Sequence, residues 1–318
     1  MSSRELIYHA QCFDGAVSCV LAWDYFDAIE PVDSTTLHPV GYEVRDSWLT
    51  DTLPTGAIVV DFLFHPDAAF WADHHGTTFL NGESLATFET ARREDWLYDP
   101  HAKSCAGLLY HFFDRERAHR NPAFEEAVEW AERLDSAEYD SVEEAVIPRQ
   151  PAPAISLSFA ARDDPEYSMH LVRRLRDTAG DFRAVASEPL VRSAIDEAMR
   201  RVEMGIVALR RGIRENDSDV VTFDVEEGNA LIPRYAPYLV NPEARYSAGI
   251  VRRAAEAKIT TMGNPWRPFE GVNLGRLCAR YGGGGHERVG SILLRDGSIE
   301  RAGALLQGIV NEIRSAKS

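Results

Sequence analysis

Residues 57–64 read Ala-Ile-Val-Val-Asp-Phe-Leu-Phe, a run of seven apolar side chains interrupted by one carboxylate, Asp61. An unbroken apolar run of this length predicts a strand covered on both faces, as in parallel sheets. Covering both faces takes layers on each side, which points to an α/β architecture. The carboxylate is costly to bury unless a cation compensates it. Asp61 therefore reads either as a strand-end residue capping a neighbouring helix or as part of a cation site.

The flanking pattern agrees with that architecture. Residues 5–9, 35–40 and 69–73 read as strands, and residues 15–26 as a helix with a broad apolar face. From Ser104 the pattern turns helical, over 104–117, 122–134 and 166–177, with Asn121 as N-cap and Pro122 at the first helical position of the second. Residues 147–153 carry three prolines and predict a surface loop. A long helical stretch over 189–214 reads as a connector. Beyond it, strands are expected at 220–225, 246–253, 258–262 and 289–294, with helices at 274–281 and 299–315. The expectation is an α/β protein: an N-terminal parallel-sheet domain over 1–188, a helical connector over 189–214 and a smaller α/β domain over 215–318. A chain of 318 residues suits two domains.

Charge narrows the partners. The net charge is −16. Residues 1–160 hold 28 acidic and 10 basic residues, and residues 161–318 hold 22 and 24. Such a balance argues against gripping long duplex DNA or an anionic membrane. No run approaches the ~18 apolar residues of a membrane helix, and the first residues lack a secretory signal, so a cytoplasmic location is expected. Cys12, Cys19, Cys105 and Cys278 form no C-x-x-C pair, which disfavours a zinc ribbon.

Four chemistry-bearing segments end or follow strands: His9, Asp14 with Gly15, Asp61, and Asp73-His74-His75. In open parallel sheets, ligand sites form beyond the carboxyl ends of the strands. Taken singly, each has a plain reading: a satisfied core histidine, an N-cap, a strand-end carboxylate, a polar turn. Together, carboxylates and imidazoles without paired thiolates suit manganese or magnesium better than structural zinc. A second constellation, Gly282 to Arg288, holds four glycines followed by His286, Glu287 and Arg288. Glycine amides approach anions closely, and His and Arg add charge; the plain reading is a turn.

The Asp73-His74-His75 triplet with the later Gly-Gly-Gly-His stretch resembles the DHH phosphoesterase superfamily carrying a C-terminal DHH-associated domain, as in nano-RNases and pAp phosphatases. The resemblance implies a hydrolase of phosphodiester or phosphomonoester bonds in short oligonucleotides or small nucleotides. It would use hydroxide activated by two divalent metal ions, manganese first, with iron, cobalt, magnesium or zinc as alternatives. It implies His9 and Asp61 at one ion, Asp14, Asp61, His74 and Asp135 at the other, with Asp61 bridging; Asp140 rivals Asp135. Asp73 would orient a ligand imidazole and His75 would face the scissile phosphate, while Gly283, Gly284, Gly285, His286 and Arg288 would hold substrate.

Two departures stand out. Cys12 occupies a position where the family carries a carboxylate, and is read either as a thiolate ligand favouring a softer ion or as a neutral buried thiol. The family's Arg-Ser pair before the glycine run is replaced by Thr260-Thr261-Met262, with Arg252 or Arg253 as substitutes. Other readings are a pyrophosphatase or polyphosphatase, and a degenerate non-catalytic nucleotide-binding module. The expected partner is a small phosphorylated nucleotide, with a homodimer as the oligomer considered.

Overall fold

A computed structural model of the chain describes residues 2–316. The chain divides into two compact units, Met1–Tyr139 with Arg149–Glu197, and Asp140–Pro148 with Ala198–Ser318.

The first unit is built on a five-stranded, all-parallel sheet. Its strands are β1 (Ser3–His9), β2 (Ser34–Val40), β3 (Ile58–Val60), β4 (Phe70–Asp73) and β5 (Trp96–Tyr98), in the order β2-β1-β3-β4-β5. Alternation along the strands sorts the side chains to two faces. Leu6, Tyr8, Ile58, Val60, Phe70 and Ala72 pack against helices α1 (Phe13–Ile29), α3 (Cys105–Arg117), α4 (Glu125–Asp135) and α7 (Pro165–Asp177). Ile7, Val59 and Trp71 face the other way, into a layer of Trp48, Phe62, Phe64 and Trp96 that also receives Phe88 of α2 (Gly82–Ala91). One face is thus helical, and the other is largely an aromatic layer supplied by loops. Neighbouring rings there meet edge-on, as Phe64 does with Trp71 and with Trp96 at 5.1 and 4.8 Å. Each such pair adds on the order of 1 kcal/mol beyond its burial.

The run over 57–64 is buried throughout but is a strand only over Ile58–Val60. Asp61 takes a left-handed backbone, with φ of 54°, and turns the chain out of the sheet. Phe62–His65 and Ala68 of the loop that follows are buried, and three indoles satisfy carbonyls there. Trp71 Nε1 donates to Phe62 O at 2.9 Å, Trp48 Nε1 to Leu63 O and Phe64 O at 3.1 Å, and Trp96 Nε1 to Ala68 O at 3.0 Å. Buried backbone oxygens need such partners, so the tryptophans hold the loop that presents Asp61.

The proline-rich stretch is a loop only over residues 147–150, and its end from Pro151 onward is helical. Residues 140–148 belong to the second unit and include the short helix α5 (Val142–Val146). Helix α6 (Pro151–Ser158) then buries Ala152 and Ile155. Pro151 sits in the first turn, where a missing N–H costs nothing, so proline there starts a helix rather than preventing one. Helix α8 (Phe182–Ser187) and the 24-residue α9 (Pro189–Gly212) follow, α9 continuing into the second unit.

The second unit holds a six-stranded mixed sheet. Strands β6 (Ile213–Asn216), β7 (Val220–Glu226), β8 (Tyr246–Arg252), β9 (Glu256–Gly263), β10 (Gly284–His286) and β11 (Val289–Arg295) lie in the order β10-β11-β9-β8-β7-β6, with only β7 and β8 parallel. Helices α11 (Leu274–Ala279) and α12 (Ala302–Ser315) pack on this sheet, and α10 (Pro237–Val240) lies between β7 and β8 in sequence.

Candidate metal centre

Four segments converge beyond the carboxyl ends of β1, β3 and β4. Asp61 is completely buried, and its backbone N–H donates to Ala72 O at 2.9 Å, which ties the turn to β4. His9 ends β1, with Nδ1 3.5 Å from Asp61 Oδ2. Gly15, in the first turn of α1, passes so close that a Cβ there would strike the His9 carbonyl and crowd Asp61. Glycine at 15 is therefore a condition for bringing His9, Asp61 and α1 together.

Asp14 does not cap its own helix. Its two oxygens accept from the backbone N–H groups of Cys105 (2.7 Å) and Ala106 (2.9 Å), the otherwise unsatisfied donors at the start of α3. Asp14 Oδ2 then lies 3.6 Å from His74 Nε2. That imidazole nitrogen is also 3.9 Å from Asp61 Oδ1 and 3.2 Å from Asp135 Oδ2 at the end of α4. Asp135, not Asp140, joins this cluster. Asp140 belongs to the second unit, where its N–H donates to Glu144.

His74 Nδ1 lies 3.1 Å from Ala102 O. A carbonyl only accepts, so Nδ1 carries a proton, and a neutral His74 would aim its Nε2 lone pair at three carboxylates. Only a proton or a cation makes that arrangement favourable. Asp73 is bonded differently from expectation. Its Oδ1 accepts from His74 N at 2.8 Å and pairs with His75 Nδ1 at 2.7 Å, so the imidazole it orients is His75.

Electrostatics say the same. Asp14, Asp61 and Asp73 are buried, and the ion pairs of the cluster are all with imidazoles. Burial, then Asp14, Asp73 and Asp135, push the Asp61 carboxyl well above the usual carboxylate range. Burial and Asp135 raise Asp14 to about 6. Burial works against charging His74, but Asp135 and Asp14 outweigh it and raise it to about 9. Burial, reinforced by His75, lowers His9 to about 4. Burial and the same carboxylates lift the Cys12 thiol well above its ordinary value.

Both Asp61 oxygens, His9 Nδ1 and His74 Nε2 are buried without a hydrogen-bond partner. Unpaired buried atoms of this kind are costly. Among the described residues, three groups place ligand atoms within 4.8 Å of one another: His9, Cys12 and Asp61; Asp14, His74 and Asp135; and Asp61, Asp73, His74 and His75. Unpartnered atoms and an anionic N, O and S donor set fit divalent cations.

Sequence reasoning passed over Tyr42. It follows β2, is 43% exposed, and sets its ring edge-on to His9 at 5.1 Å. Burial, then Asp73 and Asp61, raise its phenol to about 12. Cys105 and Ala106 were also passed over as partners of Asp14, since nothing local links a helix start to a carboxylate in another helix.

The glycine run forms one arm of a hairpin, in keeping with the turn expected there. Gly284–His286 pairs antiparallel with β11. Gly283 N donates to Cys278 O at 3.0 Å, and side chains at Gly283 or Gly285 would strike the carbonyls of Ser291 or Val289. Gly284 faces open space, and His286 and Arg288 are exposed. Arg288 lies 5.4 Å over the Phe269 ring, beside a cavity of about 290 Å³ lined by Tyr246, Phe269 and Glu287. The suggested substitutes are occupied: Arg252 forms a two-point pair with Asp224, and Arg253 pairs with Glu227 and Glu256.

No protein-family model and no curated relative matches the chain. Solved structures do match its fold. The pGpG-specific phosphodiesterase PggH from Vibrio cholerae aligns over 98% of this chain and 99% of its own, at 18% identity and a TM-score of 0.73. RecJ in complex with Mn²⁺ from Thermus thermophilus aligns over 97% of this chain and 52% of its own, at 13% identity and a TM-score of 0.58. An exopolyphosphatase-related protein from Bacteroides fragilis aligns over 98% and 92%, at 10% identity and a TM-score of 0.50. The chain thus shares its fold with these solved structures.

Proposed function

We propose that this protein is a metal-dependent phosphoesterase that hydrolyses short oligonucleotides or small nucleotides. The observation that carries the reading is the set of buried, unpartnered atoms of Asp61, His9 and His74, gathered from segments far apart in sequence. The shared fold with a pGpG-specific phosphodiesterase and with RecJ supports this reaction class.

His9, Cys12 and Asp61 would hold one divalent ion, and Asp14, His74 and Asp135 the other, with Asp61 between them. Bound there, such ions would lower the pKa of water and neutralise phosphate oxygens during an in-line displacement. Manganese is the first choice, given this oxygen- and imidazole-rich donor set.

The chain's own groups do the rest. Asp73 fixes the ring of His75 through Nδ1. Burial opposes charging His75, but its bond to Asp73 prevails and raises its pKa. Its Nε2 then holds a proton to stabilise a phosphate oxygen and to pass to the departing oxygen. Ala102 and the first amides of α3 keep His74 and Asp14 in place. In the second unit, Gly283, Gly284, Gly285, His286 and Arg288 are assigned to hold the remaining phosphates, with Gly284, His286 and Arg288 being the parts of that stretch open to a ligand.

The reading places the protein among soluble nucleotides of the cytoplasm; no helix among the described residues is long and apolar enough to cross a membrane. The test is a manganese-supplemented assay on a linear dinucleotide, pAp, a cyclic dinucleotide, a short RNA and pyrophosphate. Turnover of the dinucleotide, pAp or short RNA is expected. Cleavage of pyrophosphate alone would replace the nucleotide reading with a pyrophosphatase, and no cleavage of any compound would refute both.

A further inference from the structure

We propose that the two ion positions are chemically unequal, with Cys12 making the His9 side a site for a thiophilic divalent ion such as iron, cobalt or zinc, while the His74 side takes a harder ion such as manganese. The proposal deepens the reading above and rests on the centre holding two ions.

The donor sets carry it. On one side stand an imidazole, a thiol and a carboxylate, from His9, Cys12 and Asp61; on the other stand an imidazole and two carboxylates, from His74, Asp14 and Asp135. Sulfur donors select iron, cobalt or zinc, whereas carboxylate-rich sets suit manganese and magnesium. Cys12 is not an isolated thiol beside a helix. The wholly buried Asp61 directs two unpartnered oxygens into the same space, and His9 adds an unpartnered Nδ1.

The local backbone presents the thiol. Cys12 is the N-cap residue of α1, which sets its sulfur at the helix start, within reach of His9 and Asp61. Gln11, just before it, has a φ of 56° and anchors its side chain on Asp163. A left-handed residue between two donors is a strained arrangement of the kind found at ligand sites. The other cysteines are placed differently. Cys105 donates its thiol to Ala72 O, and Cys19 and Cys278 belong to none of the three donor groups.

The experiment uses the full-length chain, stripped with a chelator and titrated with Co²⁺. The first equivalent should produce a near-ultraviolet thiolate-to-cobalt charge-transfer band, and the second should add none. Cys12→Ser should remove the band and weaken the first site on the order of a hundredfold, the upper end of the effect of losing even a supporting group. The second site should keep its affinity. Cys12→Asp supplies an oxygen ligand in place of sulfur, so it should still bind two ions while Zn²⁺ loses its advantage over Mn²⁺ in competition. It also tests the idea if the serine variant folds poorly.

Two bound cobalt ions without a sulfur band, or unchanged Zn²⁺ preference in Cys12→Asp, would overturn the proposal. These are binding measurements, separate from hydrolysis. A chain with the band and no phosphoesterase activity would sink the function and keep the unequal sites. An active enzyme with two ions and no band would do the reverse.

Discussion

The candidate metal centre of the first unit and the glycine hairpin of the second have opposite unmet needs. In the centre, indoles satisfy the carbonyls of Phe62, Leu63 and Phe64 after Asp61, while buried side-chain atoms of His9, Asp61 and His74 have no partner. In the hairpin the glycines are required by close packing against β11, and the Gly283 amide is already bonded. A glycine run is thus explained largely by its own fold, with Gly284, His286 and Arg288 left for a ligand. Buried donors without partners have no such internal explanation.

The sharpest way to break this contrast is Asp61→Asn. Neutralising the carboxylate proposed to lie between the two ion positions should cut kcat by on the order of a thousandfold, as losing a key electrostatic stabiliser does. Calorimetry should show ion binding lost as well. Turnover near wild type would mean the unpartnered atoms serve something else.

A smaller effect is expected on the other side. His286→Ala should raise KM about tenfold, the scale of one hydrogen bond to a charged group, with ion content unchanged. An unaltered KM would take the hairpin out of the substrate site and leave packing as its whole explanation.

The subtlest test is the pH dependence of the ion-free protein. His74 binds its proton more tightly folded, at about 9 against 6.5. The folded state therefore holds the extra proton across that window, and the stability it contributes is present below 6.5 and lost as pH rises towards 9. Thermal denaturation in chelator should give a falling Tm over that range. With ions bound, His74 serves as a neutral ligand and the slope should vanish; a slope persisting with saturating ions would argue that His74 binds none.

Much of this was legible because the chemistry lies where strands end. The apolar stretches at 5–9 and 69–73 and the lone carboxylate in 57–64 mark a parallel sheet with reactive groups at one rim. What was not legible depended on distant partners. The end of β3 at Val60 depends on three indoles from other segments, and the grip on Asp14 depends on amides at the start of α3. The helix at Pro151–Ser158 was hidden because prolines in a first turn look the same as prolines in a loop. The link between Asp73 and His75 needed a rotamer, not a motif.

The grip on Asp14 has a consequence for how the molecule is made. Its two amides come from positions 91 and 92 residues downstream, and Asp135 arrives later still. The donor group of Asp14, His74 and Asp135 is therefore complete only once α3 and α4 have docked on α1, whereas that of His9, Cys12 and Asp61 lies within the first 61 residues. An ion held by the former would report that this part of the first unit has folded.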